Sequence, residues 1–186
     1  MAQEEYGLAV AIWDLEGDPL ELGLVEYTKG GSVLRYSEEH WGPTYDQYGN
    51  APVDQIKVGE SVEVDVMMAE MVLEKFAAIL PSTRLVTGAG GKRKLVFGGK
   101  IGEGLGKYAK TLTLRPYGNL AEGRTGPSDD DPSGDFTILR AVPRAEFEVA
   151  FQLQQERIYQ LTFTGLIDRT QEGALWVFGD NSVTAG

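Results

Sequence analysis

Apolar and polar residues alternate with a period of two along several short stretches of the chain. The cleanest stretch places Val62, Val64, Val66 and Met68 on one face and Glu63 and Asp65 on the other. Leu112 and Leu114 repeat the pattern. So do Phe147, Val149, Phe151 and Leu153, with Glu146, Glu148 and Gln152 facing away, and then Tyr159, Leu161 and Phe163. Alternation of this kind predicts antiparallel strands with one face packed and one polar. Leu8 to Leu15, Leu20 to Tyr27, Ser32 to Tyr36 and Ala174 to Phe178 read as further strands. The 24 glycines and 8 prolines fall mainly between these segments, where turns need them.

One segment changes period. From Ala69 to Leu80, apolar residues recur at Val72, Leu73, Phe76, Ile79 and Leu80, which is helical spacing, and Pro81 ends the run. The expected fold is therefore mainly β: a sandwich or barrel of antiparallel strands with one flanking α-helix at about 69–80. At 186 residues one domain is expected, with extended loops at about 37–58 and 118–134. The second loop, dominated by Gly, Asn, Pro, Ser and the run Asp129-Asp130-Asp131, is long for a connection within a domain. It should be functional or disordered.

Charge narrows the function. The chain carries 28 acidic and 17 basic residues, a net charge of −11, which argues against tight nucleic-acid binding. It has no cysteine, so disulfide scaffolds, thiol catalysis and cysteine-ligated zinc are excluded, and its single histidine is His40. No apolar run approaches the roughly 18–20 residues of a membrane-crossing helix, and the opening Met1-Ala2-Gln3-Glu4-Glu5 is acidic where a signal peptide is basic. A soluble protein made inside a cell, with no membrane partner, is the expectation.

Motifs for chemistry fail one by one. Gly91-Lys92 is followed by Arg93 and Gly99-Lys100 by Ile101, so neither is a phosphate-binding loop, and Gly102 to Gly106 lacks dinucleotide spacing. Glu63 with Asp65, and Glu146 with Glu148, share strand faces about 7 Å apart, a separation that glycoside hydrolysis tolerates. Among 28 acidic residues such pairs are inevitable on the polar face of a strand. The Asp129 to Asp131 run lacks the glycine and terminal glutamate of a calcium loop, and His40 has no serine-and-acid arrangement nearby. No enzyme activity, cofactor or metal is expected. The one cationic stretch, Lys92, Arg93, Lys94, Lys100, Lys107 and Lys110, is either a solvated strand face or a complement to acidic surface on a neighbouring copy.

The segment from Tyr45 to Pro81 adds a resemblance. It runs from Tyr45-Asp46-Gln47-Tyr48-Gly49-Asn50-Ala51-Pro52-Val53-Asp54 through Gly59-Glu60-Ser61-Val62-Glu63-Val64-Asp65-Val66 to Ala69-Glu70 and the helix ending in Pro81. With Phe163-Thr164-Gly165-Leu166-Ile167-Asp168 and the stretch from Gly173 to Asp180, this resembles the tail tube (major tail) proteins of long-tailed bacteriophages. The matching segments cover about a third of the chain.

The resemblance implies a virion protein, made in the host cytoplasm, whose hexameric rings stack into a hollow tube through which DNA leaves the capsid. It implies tail tip, tape measure and tail terminator proteins as partners, and passage of DNA without specific binding. Edge strands would pair between subunits. An acidic lumen would repel phosphate, with Glu63, Asp65, Glu146 and Glu148 as lumen-facing candidates. Trp41, Tyr45 and Tyr48, in the aromatic segment between Ser37 and Val58, are candidate subunit contacts, as are Lys92, Arg93 and Lys94. Two other readings stay open: the inner tube of a contractile injection machine, and a carbohydrate-binding β-sandwich using Trp13, Trp41 and Trp176 as platforms.

Overall fold

Among the described residues the chain forms ten strands and one α-helix; the alternating stretches at Val62–Met68, Leu112–Leu114 and Tyr159–Phe163 lie in strands, and the expected strand at Phe147–Leu153 lies outside those residues. A computed structural model describes residues 9–14, 17, 19–22, 31–44, 49, 51–68, 72–99, 101–116, 132–145 and 159–183. The strands are β1 (Ala9–Trp13), β2 (Leu20–Leu22), β3 (Val33–Trp41), β4 (Ile56–Met68), β5 (Thr83–Thr87), β6 (Arg93–Phe97), β7 (Lys110–Pro116), β8 (Phe136–Ala145), β9 (Tyr159–Gly165) and β10 (Trp176–Phe178). Helix α1 (Leu73–Ile79) stands between β4 and β5. The main sheet runs β2-β1-β7-β8-β9-β4-β3, antiparallel throughout, with β10 also on β8, while β5 and β6 form a hairpin of their own.

The sheet curls. Trp13 on β1 and Phe163 on β9 are three strands apart, about 14 Å in a flat sheet, yet their ring centroids lie 5.2 Å from each other. The protein is thus mainly β, a curled antiparallel sheet with one helix, of sandwich or barrel character. Inside the curl, Val62, Val64 and Val66 of β4 meet Leu112, Ile138, Leu161 and Phe163, all essentially without solvent contact. A β-bulge sets one residue of β7, Thr111, against two of β8, Leu139 and Arg140, between the pairs Lys110–Ala141 and Leu112–Ile138. It keeps both Ile138 and Ala141 turned to the core.

Strands β1 and β7 are buried on both faces, which explains the unbroken apolar run of β1. On β7 the residues that alternate with the core leucines, Thr113 and Arg115, are also buried, so its second face is polar in composition but not solvated. There Thr113 and Thr137 share a hydroxyl hydrogen bond of 3.0 Å, and Arg115 pairs with Asp135. Trp13 is buried as well, which removes it from any exposed aromatic platform.

The helix is shorter than its apolar spacing suggests. Strand β4 stays paired to β9 as far as Met68–Tyr159, and Val72 is still extended, with no side-chain cap, so only two turns follow. Phe76 and Ile79 turn inward, and Phe76 meets the Tyr159 ring edge-on at 5.9 Å. At the other end Thr83 Oγ1 donates to the Leu80 carbonyl at 2.8 Å, satisfying a group that the ending helix leaves open.

Gly165, at the end of β9, is closely overlain by core side chains. A Cβ there would stand 2.3 Å from Val62 Cγ1 and 3.2 Å from Ile138 Cγ2, and Val62 is both β-branched and fully buried. Gly165→Ala is therefore expected to cost about 1–3 kcal/mol in urea unfolding, as overpacking does. An unchanged midpoint would mean that Val62 can turn aside.

Candidate functional site

The segment between Ser37 and Val58 is not a loop at its ends. Strand β3 continues to Trp41 and β4 begins at Ile56, while β9 covers β4 only from Glu63 to Met68. Residues 56–62 of β4 are therefore paired with β3 alone. They form a two-stranded arm about 20 Å long at the usual rise per residue. From Ile56 to Ser61 both of its faces meet solvent, Val62 being buried in the core, and at its end Trp41 pairs with Ile56. Trp41 is 57% exposed, and Val53, Ile56 and Val58 are exposed beside it. The chain beyond stays narrow, with a bridge between Thr44 and Pro52. Tyr45 and Tyr48 lie outside the described residues.

One face of the arm is polar and internally paired. The register shifts between Glu39–Gly59 and His40–Lys57, leaving Val58 as a bulge, and Lys57 is carried onto the side of Glu38 and Glu60. Lys57 Nζ donates to Glu60 at 2.5 Å, to Glu38 at 2.8 Å and to the Tyr36 hydroxyl at 3.1 Å. These bonds hold both carboxyls below their ordinary pKa, the Lys57 bond first in each case, and raise that of the ammonium. The Tyr36 hydroxyl oxygen lies 2.6 Å from Glu38 Oε1 and 2.9 Å from Glu60 Oε2, and its single proton can be donated to only one of them at a time. Sequence reasoning missed this group, because its members are brought together by register and a bulge.

At the root of the arm, on the opposite face, lies a polar pocket of about 300 Å³ lined by Arg35, Glu63, Asp65, Arg144, Gln160 and Thr162. The pairs Arg35–Glu63, Asp65–Thr162 and Arg144–Thr162 place these side chains on one face of four neighbouring strands. Asp65 is not a solvated strand residue: it is 5% exposed. Arg35 Nη1 donates to its Oδ2 at 2.5 Å and Thr162 Oγ1 to its Oδ1 at 2.7 Å. Burial pushes its pKa up, but hydrogen bonds from Thr162, Arg35 and Gln160 outweigh that and hold it below the ordinary carboxylate value. A carboxyl held ionised in this way is a poor proton donor at neutral pH. Glu63, beside it, has no hydrogen-bond or ion-pair partner among the described residues. Glu146 and Glu148 lie outside them.

Because the Asp65 pKa is lower folded than unfolded, the stability it brings is present above about pH 4, near its ordinary 3.8. That stability is lost as pH falls through the folded-state value. Melting temperatures taken from pH 5 to pH 2 should fall less steeply for Asp65→Asn than for the parent protein. Parallel acid limbs would show that Arg35 and Thr162 gain nothing from the charge.

The cationic stretch divides. Arg93 is paired with Glu74 of α1, Lys107 with Glu103 and Lys110 with Asp14, whereas Lys92 and Lys94 stay exposed on the β5–β6 hairpin. Lys100 lies outside the described residues. Among those residues no group of three or more acidic or imidazole side chains is placed to hold a metal ion, and no helix is long and apolar enough to cross a membrane. Trp176 stacks on Phe136 at 6.0 Å between ring centroids, and the exposed Phe178 packs on Phe136 at 4.5 Å. No protein-family model matches this chain, and no curated protein matches it.

Proposed function

We propose that the protein is a structural subunit that assembles with copies of itself into stacked rings, as the tube of a long phage tail. The observation that carries this reading is the arm. It extends beyond the sheet and presents Trp41, Val53, Ile56 and Val58 to solvent, apolar area that a monomer gains nothing by exposing. Strands β2 and β3 end the order of the main sheet among the described residues, in keeping with pairing between subunits around a ring. The net charge of −11 suits a lumen that lets DNA pass without holding it. In this reading the protein works without catalysis or cofactor, in the virion, beside tail tip, tape measure and terminator proteins.

Negative-stain micrographs of the concentrated protein test the class directly. Rings or hollow tubes support it; uniform monomers at every concentration, with or without an initiating tip complex, overturn it. The inner tube of a contractile machine differs in binding a sheath protein, so co-purification of a sheath would select that variant. The carbohydrate-binding alternative keeps one observation, the aromatic row Phe136, Trp176 and Phe178. Quenching of tryptophan fluorescence by an oligosaccharide panel supports it, and a flat response removes it.

A further inference from the structure

The β5–β6 hairpin stands apart from the main sheet, and its two faces differ in kind. One face turns inward: Leu95 packs against the core and Arg93 meets Glu74 on α1. Strand alternation puts Arg84, Val86, Lys94 and Val96 on the other face, with Lys92 one rung further, where Gly88 N donates to the Lys92 carbonyl at 2.7 Å. The hairpin from Thr83 to Phe97 holds four cationic residues and no acidic one. Arg84, Lys92 and Lys94 are exposed and have no ion-pair partner among the described residues.

The β3–β4 ribbon, the arm together with its root, has the opposite sign. Residues 33–68 contain seven acidic and two basic side chains. Along the face that holds the polar pocket, successive rungs are Arg35–Glu63, Ser37–Ser61 and Glu39–Gly59. Arg35 is engaged by Asp65, while Glu39 and Glu63 have no ion-pair partner among the described residues. From the Glu63 rung to the Glu39 rung is four residues, about 13 Å, and from the Arg84 rung to the Lys92 rung is also four, about 13 Å. Lys94 falls midway on the hairpin, as the Ser37–Ser61 hydroxyl pair does on the arm. Two ribbons of equal pitch thus carry complementary charge at matching intervals.

We propose that the outer face of the hairpin, Arg84, Lys92 and Lys94, seats on Glu39 and Glu63 of the β3–β4 ribbon of a second copy. The proposal rests on the self-assembly read above and names its contact. The two surfaces are different patches of the same chain. The contact joins unlike patches, so made singly it runs head to tail and closes a ring or propagates a filament; a two-fold dimer forms only where two copies make it reciprocally. Lys92 and Lys94 thereby take the neighbour's acidic surface, and Arg84 joins them.

Charge swapping tests this by sedimentation velocity at low salt. Arg84→Glu with Lys92→Glu and Lys94→Glu makes both patches acidic; Glu39→Lys with Glu63→Lys makes both basic. Each variant alone should associate at least tenfold more weakly than the parent. An equimolar mixture should recover association, because every unlike contact then pairs opposite charges. General repulsion cannot mimic the second result: the two lysines reduce the net charge from −11 to −7, which by itself favours association. Thermal melts check folding, and Glu39→Lys alone, at an exposed position, repeats the test if the double variant unfolds. Variants that associate like the parent, or a mixture that fails to recover, overturn the pairing while leaving self-assembly standing. A parent protein that never associates overturns the assembly reading itself.

Discussion

Asp135→Ala is expected to cost the fold about 3–5 kcal/mol, the largest loss that any single polar side chain described here should produce. Asp135 and Arg115 are both buried, and they meet side by side. Arg115 Nε donates to the two carboxylate oxygens at 3.1 and 3.0 Å, and Nη2 donates to Oδ2 at 2.8 Å. Removing the carboxylate takes from a buried guanidinium the counter-charge and the hydrogen bonds that Asp135 supplies, so less of its desolvation is offset. The backbone makes the position a junction too. Asp135 N donates to the Pro132 carbonyl at 3.0 Å and Gly179 N to the Asp135 carbonyl at 2.8 Å, so the start of β8, the end of β7 and the end of β10 meet here. For a chain of this size the loss corresponds to a fall of about 6–20 °C in melting temperature. Urea unfolding of Asp135→Ala, and of Asp135→Ala with Arg115→Met, separates the causes. The double variant should recover part of the loss, because it also removes the buried charge that Asp135 offset. A single-variant loss under about 1 kcal/mol would mean that the pair is solvated.

The parts of this molecule that sequence made legible are those where one face meets a core. Val62, Val64, Val66 and Met68 alternate because the curl buries each of them, and the apolar run of β1 reports burial on two faces. The arm did not announce itself for the opposite reason. Ser37 to Trp41 and Ile56 to Ser61 are exposed or nearly so on both sides, so nothing imposes a period of two, and a polar strand there reads as loop. Asp65 misleads in another way. A carboxylate between two valines signals solvent, but Arg35, 30 residues earlier, and Thr162, 97 residues later, arrive across the register to hold it in a buried position. Register also assembles Tyr36, Glu38, Lys57 and Glu60, with a bulge at Val58 that no local pattern marks. The hairpin at 83–97 shows its charge in sequence but not its division. Only pairing reveals that Arg93 turns to Glu74 while Arg84, Lys92 and Lys94 face outward.

Trp41→Ala is expected to weaken assembly by at least about 2 kcal/mol per contact, roughly thirtyfold, while the monomer keeps its stability to within about 0.5 kcal/mol. The two halves of that expectation come from one fact. Trp41 ends an arm that only β3 and β4 build, and it is 57% exposed, so the fold gains little from it. An indole with Ile56 across the ladder and Val53 and Val58 nearby offers a neighbour a large apolar anchor, and burying it there removes that area from water. Critical concentration by light scattering, read beside a thermal melt of the dilute protein, checks both halves. A monomer destabilised by several degrees would place Trp41 in the fold, and an unchanged critical concentration would take the arm out of the contact. Salt distinguishes this anchor from the charged ribbons. Contacts made by Arg84, Lys92 and Lys94 should weaken as ionic strength rises, whereas burial of Trp41 should not. The loss caused by Trp41→Ala should therefore be the same in low and high salt, and the loss caused by reversing the three cations should shrink.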